Sequence, residues 1–357
     1  MRTVAAVALI TATLGALPAA DPPRPLSPTS ISFEKSPAVL GEAVDSISKA
    51  AGVKVSVAPN LLKTPLKDFK GFKAVPFWEG LQATADASGT RIALAKGGRE
   101  IGLVPRGASR EVASTSGSFR VVAQQVTGRA LLTEGITVHE VGLLVHWEPR
   151  LRVYRIDTAP KISEVKDVPG SKLVADGGGS QVLPSDATSE MRVRVTGLTR
   201  DSERIKSLAG VFTVTAAEKM LAFDLAAPAG KLPDAKKIEG VTAALKRLEK
   251  KGNTWEVVVD VLYPEGLPHF ESFQGEWWLR DNRLLLLGPG GKTFVLDDYE
   301  FPSPDSPRPL RVIYRFKEDA AKGIGNPTGA GWSFVYETPA PLSEVKVPFE
   351  LKDIPLP

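Results

Sequence analysis

The sequence predicts a multidomain chain, a small βαββαββ α+β unit over residues 30–106 followed by two tandem antiparallel β-sandwiches over 111–227 and 236–357. Three observations lead there. Residues 31–104 switch between two-residue and three-to-four-residue apolar spacing, so strands and helices take turns. After Pro105 only short alternating runs remain, punctuated by Gly, Pro, Asn and Asp. A length of 357 residues suits two or three domains, and 43% hydrophobic residues are enough to build their cores.

Ile31-Ser32-Phe33 alternates as a half-buried strand does. Ser36-Pro37 offers an N-cap hydroxyl and a proline at the first helical position, where its missing N–H costs nothing. Val39, Leu40, Ala43, Val44, Ile47, Ala50 and Ala51 then form one apolar stripe, and Gly52 stands where a left-handed closing residue belongs. Val53, Val55 and Val57 alternate in the next strand, and Leu66 to Phe72 reads as a weaker one. A second helix follows Pro76, with Phe77, Leu81 and Ala85 on one face and Gly89 at its end. Ile92 and Leu94, then Ile101 and Leu103, flank the hairpin turn Lys96-Gly97-Gly98-Arg99.

This segment resembles the short N-terminal domain shared by secretins and TonB-dependent transducers. The resemblance rests on Ile31-Ser32-Phe33, Leu40 with Ala43, and Ile47 ahead of Ala51-Gly52-Val53-Lys54-Val55. It continues in Pro76 with Leu81 and in the Gly89 turn into Thr90-Arg91-Ile92. It covers about a fifth of the chain, and its residues are fold positions. Two departures stand out. Gly80-Leu81 replaces the usual Ala-Leu pair, and no outer-membrane barrel pattern follows. The resemblance implies docking of other periplasmic proteins, partly through exposed sheet edges, and implies no catalytic residues.

The remainder resembles generic immunoglobulin-like sandwiches. Its predicted strands are Phe119 to Val126, Val138 to Val145, Leu151 to Ile156, Met191 to Val195, Val211 to Thr215 and Met220 to Leu225. Residues 228–235 read as a linker. Over 238–249 the apolar spacing fits either a helix face or a hairpin, and Lys251-Gly252-Asn253 before the strand Trp255 to Leu262 favours the hairpin. Further strands follow at Glu276 to Leu279, Leu284 to Leu287, Thr293 to Leu296, Leu310 to Phe316, Trp332 to Tyr336 and Val345 to Leu351. The likeness of 210–225 to 331–351 predicts a matching final hairpin in each sandwich. Strands this short, with 7% aromatics, do not make a membrane barrel.

Residues 1–20 carry Arg2, an apolar run from Val4 to Leu17 and small residues at Pro18-Ala19-Ala20. This is a signal-peptide pattern, too short to span a bilayer, with an uncut anchor as the alternative. Residues 21–29, rich in proline, read as a stiff extended leader. Export to the periplasm or beyond follows, with no transmembrane segment in the mature chain. The absence of cysteine excludes disulfides, thiolate catalysis and lipid acylation at cysteine. The net charge of +4 is small, and no basic stripe with interleaved aromatics marks a nucleic-acid partner.

No motif carries recognisable chemistry. His139-Glu140 begins like a zinc-protease helix, but Leu143 stands where the second ligand belongs. His146, seven residues on, falls on the opposite face of a strand. Gly290-Gly291-Lys292-Thr293 resembles the end of a phosphate loop, yet a strand follows it. Asp297, Asp298 and Glu300, and Glu271 near Glu276, are acidic groups that sequence alone cannot set opposite each other. Phe270, Phe273, Trp277 and Trp278 form an aromatic group. One of the two tryptophans is expected in the core, and the other is free to stack on a sugar or anchor an interface. Phe72, Phe77 and Trp78 read as core. The expected protein is a non-catalytic envelope adaptor or assembly factor without cofactor or metal. A carbohydrate-binding or carbohydrate-processing protein is the first alternative and a hydrolase the second.

Overall fold

The computed structural model describes residues 26–33, 35–107, 111–217, 219–225, 232–264, 281–301, 309–340 and 342–357. The chain is mostly β, with two α-helices among the described residues, both near the N-terminus.

The N-terminal unit runs β1 (Ser30–Ile31), α1 (Leu40–Ala51), β2 (Val55–Val57), β3 (Val75–Pro76), α2 (Phe77–Ser88), β4 (Thr90–Ala95) and β5 (Glu100–Pro105). Strand β5 pairs β2 in parallel and β4 antiparallel, and β1 pairs β3. Leu40, Ala43, Val44 and Ile47 bury the expected stripe of α1, and Gly52 closes the helix at φ 63°. The start differs from expectation. Val39, not Ser36, is the N-cap residue, and no side-chain cap forms. The first free amides are met by loop backbone instead: Leu40 N–H donates to Thr64 O and Gly41 N–H to Leu62 O, both at 2.9 Å. Ser36 Oγ donates to Lys70 O at 2.7 Å.

The weak strand expected at 66–72 is absent. Asp68 (φ 52°) and Gly71 (φ 68°) turn the backbone out of the extended region. The pairing passes to Val75–Pro76, and Phe69 and Phe72 pack around Phe33 at centroid distances of 5.6 and 4.7 Å. In α2, Phe77, Trp78, Leu81 and Ala85 are buried and Gly89 (φ 66°) ends the helix. Gly80 has a local reason, because a Cβ there would meet Phe72 Cζ at 3.0 Å.

A first β unit follows: β6 (Val112–Ser116), β7 (Phe119–Leu131), β8 (Ile136–Trp147), β9 (Arg152–Asp157), β10 (Lys161–Asp167), β11 (Val174–Gly178), β12 (Gln181–Val182), β13 (Thr188–Thr196) and β14 (Arg204–Ala217). One sheet has the order β11-β13-β8-β7-β6. The other is built on β14, which pairs β10 along its first half and β9 along its second, with β12 beyond β9. A second β unit holds β15 (Met220–Leu225), β16 (Asp234–Ile238), β17 (Val241–Lys251), β18 (Thr254–Leu262), β19 (Arg283–Leu287), β20 (Thr293–Leu296), β21 (Asp298–Glu300), β22 (Leu310–Lys317) and β23 (Ser333–Pro339). Its sheets are β15-β23-β19-β20 and β16-β17-β18-β22-β21. Residues 238–249 form the hairpin β16–β17, turning at Glu239 (φ 48°) and Gly240 (φ 84°). Strand β16 begins inside the stretch expected as linker.

The tandem arrangement is corrected at its ends. The final strand, β24 (Leu342–Pro355), pairs with β14 from Arg204↔Pro355 to Ala217↔Leu342, not with β23. Strand β15 pairs with β23. Val347, Phe349, Leu351 and Ile354 therefore enter the core of the first β unit, while Leu221, Phe223 and Leu225 enter that of the second. The matched final hairpins expected from sequence do not form. Residues 220–340 are instead inserted between two neighbouring strands of the first unit. The leader is corrected as well. Leu26 is 5% exposed and belongs to the core of the first β unit, so residues 26–29 are folded structure.

Candidate functional site

A buried polar cluster lies where α2 meets the sheet of β6, β7 and β8. The strand period puts Phe119, Val121, Val145 and Trp147 into the core and turns Arg120 and His146 to the opposite face, where they pair in register. Helix α2 covers them. Its Trp78 indole N–H donates to Ser118 O at 3.0 Å, and the ring lies 6.4 Å from His146. Arg120 is 1% exposed, and its Nη2 donates to Glu111 Oε2 at 2.6 Å and Gln82 Oε1 at 3.2 Å. Burial and the Arg120 charge push His146 down to about 3, so the ring is neutral near pH 7.

Two further contacts key the units together. At the β4–β5 turn, Ala187 N–H donates to Gly97 O at 2.8 Å and Arg99 Nη2 to Ser185 O at 2.7 Å. A Cβ on Gly97 would stand 2.2 Å from Asp186 Cγ, so only glycine permits this approach. At the leader, Glu148, 2% exposed, accepts from Thr29 N–H and Oγ1–H at 2.9 and 2.6 Å and from Arg150 Nε at 2.6 Å. Arg150 also donates to Ser27 O, and Ser118 Oγ donates to Leu26 O at 2.9 Å.

Between α2 and β6 this docking leaves a cleft of about 770 Å³, whose lining includes Glu79, Gln82, Asp86, Arg91, Arg106 and Thr115. Asp86 is ion-paired with Arg106, and Glu111 with Arg120. A groove of about 480 Å³ runs between β6 and β24, where Glu350 N–H donates to Ser114 Oγ at 3.1 Å. Strand β6 pairs β7 on one flank and no strand on the other among the described residues. These surfaces offer backbone hydrogen bonds and paired charges to a polar, extended ligand.

Among the described residues, those singled out from sequence scatter. Phe270, Phe273, Trp277 and Trp278, with Glu271 and Glu276, lie outside the described residues. His139 and His146 stand at opposite ends of β8 and do not converge. Burial lowers His139 as well. Among the described residues no group of three His, Asp or Glu side chains could hold a metal ion. Gly290-Gly291-Lys292-Thr293 is the connection of the β19–β20 hairpin, in the register Leu287↔Thr293. Asp298 is exposed, and Glu300 is ion-paired with Arg315. Phe77 and Trp78 are core, each 1% exposed, and Phe72 is half-buried against them.

Sequence reasoning missed the Arg120–Glu111–Gln82 group and the Glu148 clasp. It also missed Tyr154, whose hydroxyl donates to Asp281 Oδ2 at 2.7 Å beside the Arg152–Asp281 ion pair. Burial, first, and Asp281 hold the Tyr154 hydroxyl well above its ordinary range. The one signal available was period: Arg120 and His146 sit at outward positions of strands too apolar to expect a water-facing surface there. No helix among the described residues is long and apolar enough to cross a membrane. Compared with protein-family models, curated proteins and solved structures, the chain matches none.

Proposed function

We propose that this protein is a non-catalytic, exported envelope protein that joins other envelope proteins as an adaptor or assembly factor. In this reading the N-terminal unit is a domain of the secretin/TonB short type, and the two β units are immunoglobulin-like sandwiches, the second inserted into the first. The observation that carries it is the flank of β6 that pairs no strand among the described residues, opening onto the cleft with α2 on one side and the groove with β24 on the other. An extended segment of a partner can add there through main-chain hydrogen bonds, which needs geometry and no special side chains. The paired charges around it favour a polar segment over a lipid or a polyanion.

The test is in-cell photocrosslinking from Ala113, which lines both openings, with Val295 of the second β unit, 57% exposed, as the control site. A discrete protein adduct from position 113, absent from position 295, is the expected result. Equal labelling from both positions, or none from 113, refutes it. A glycan array with the wild type and the Trp277→Ala and Trp278→Ala variants addresses the carbohydrate reading. Glycan binding lost in either variant would replace the adaptor as the primary function.

A further inference from the structure

We propose that the docking of the N-terminal unit on the first β unit is a proton-controlled latch, in which protonation of His146 releases α2 from the sheet beneath it. The inference is independent of the adaptor reading. His146 is 4% exposed beneath Trp78, at the junction of two separate hydrophobic cores. Among the described residues its Nδ1 has no hydrogen-bond partner, and neither has Nε of Arg120, the residue opposite it in register. On its other side β13 presents Thr188. The carboxylates on the flanking segments are engaged: Glu111 with Arg120, and Glu148 with Arg150 and Thr29. Glu79, the residue after Trp78 in α2, is exposed and lines the cleft.

A proton on His146 would thus set a second cation beside a buried guanidinium, with the flanking carboxylates Glu111 and Glu148 already engaged and Glu79 out in solvent. Undocking relieves this by exposing the outward face of β7 and β8 to water while both cores stay closed. The ring takes a proton readily when exposed, near its ordinary value of about 6.5. Docked, it resists to about 3. The docked state is therefore favoured fully above about pH 6.5, and its advantage falls tenfold for each pH unit below that. Between pH 7.5 and pH 5 the open fraction rises about 30-fold.

Two probes read this opening. In the unaltered protein, the Ala187 amide is protected by its bond to Gly97 O across the junction. Its hydrogen exchange, corrected for the intrinsic pH dependence, is expected to rise about 30-fold from pH 7.5 to pH 5 and to stay flat in His146→Gln. The second probe uses the absence of cysteine. Ser118→Cys places one buried thiol at the junction, where the Ser118 carbonyl meets the Trp78 indole and its hydroxyl meets Leu26 O, and its labelling rate, divided by that of the urea-unfolded variant at the same pH, is expected to follow the same curve. Ala43→Cys, in the core of the N-terminal unit, reports unfolding of that unit and is expected to remain protected. A pH-independent Ala187 exchange, an equal rise in His146→Gln, or Ala43→Cys labelling in parallel with Ser118→Cys would each overturn the latch.

Discussion

Leu351 decides between a tandem and an inserted arrangement of the β units. It stands opposite Leu208 in the β14–β24 register, and both are fully buried in the first unit's core. Leu351→Ala removes three carbon groups from that core. At about 0.8 kcal/mol per buried methylene the transfer loss is roughly 2.4 kcal/mol. The cavity left between β24 and β14 adds to it, giving about 3 kcal/mol, within the range of roughly 2–5 kcal/mol seen for such truncations. With a urea slope of about 2 kcal/mol per M, the first unit's midpoint drops by about 1.5 M. Hydrogen exchange with mass spectrometry along a urea series reads each unit separately. Peptides covering 141–145 and 191–195 are expected to lose protection at the lower urea concentration, while those covering 255–261 and 312–316 hold their wild-type midpoint. The opposite pattern, with loss confined to 255–261 and 312–316, refutes the insertion and restores the tandem order.

Leu26→Ala is expected to destabilise the first β unit by about 2–3 kcal/mol, because the side chain fills its core; an unchanged denaturation midpoint would mean that the leader is not anchored. Gly177→Ala would bring a Cβ to 2.3 Å from the backbone oxygen of Pro160, so β11 must move. Loss of soluble protein, or a thermal midpoint several degrees lower, is expected, and a wild-type melting curve counts against the close approach. Arg311 grips Asp260 through two hydrogen bonds, at 2.7 and 2.8 Å, and the carboxylate is 7% exposed. Arg311→Ala strands that charge and is expected to cost roughly 2–3 kcal/mol, more than Asp260→Asn in the Arg311→Ala background, as a double-mutant cycle in urea would show.

The local elements were legible because their causes are local. The α1 stripe, the glycines that close both helices, the Lys96–Arg99 turn and the β16–β17 hairpin follow from period and backbone freedom within a dozen residues. Where a distant segment took part, reading failed. The start of α1 is set by carbonyls of Leu62 and Thr64, and the weak strand at 66–72 is undone by two residues with positive φ. The candidate cleft was not legible at all. Its walls come from α2 and β6, and period alone marks Arg120 beneath it only as an outward strand residue, without saying which element covers it.

Composition and periodicity by themselves determined that this is a cysteine-free, β-rich chain with a helical N-terminal unit, since alternation, turn residues and apolar stripes are properties of the chain alone. Tertiary structure decided which strands share a core. Strands β15 and β24 carry the same inward-facing alternation and satisfy either core equally well as sequence. Only the backbone pairing of β24 to β14 over its full length assigns it to the first unit, and hydrogen bonding between residues more than a hundred positions apart leaves no trace in local spacing.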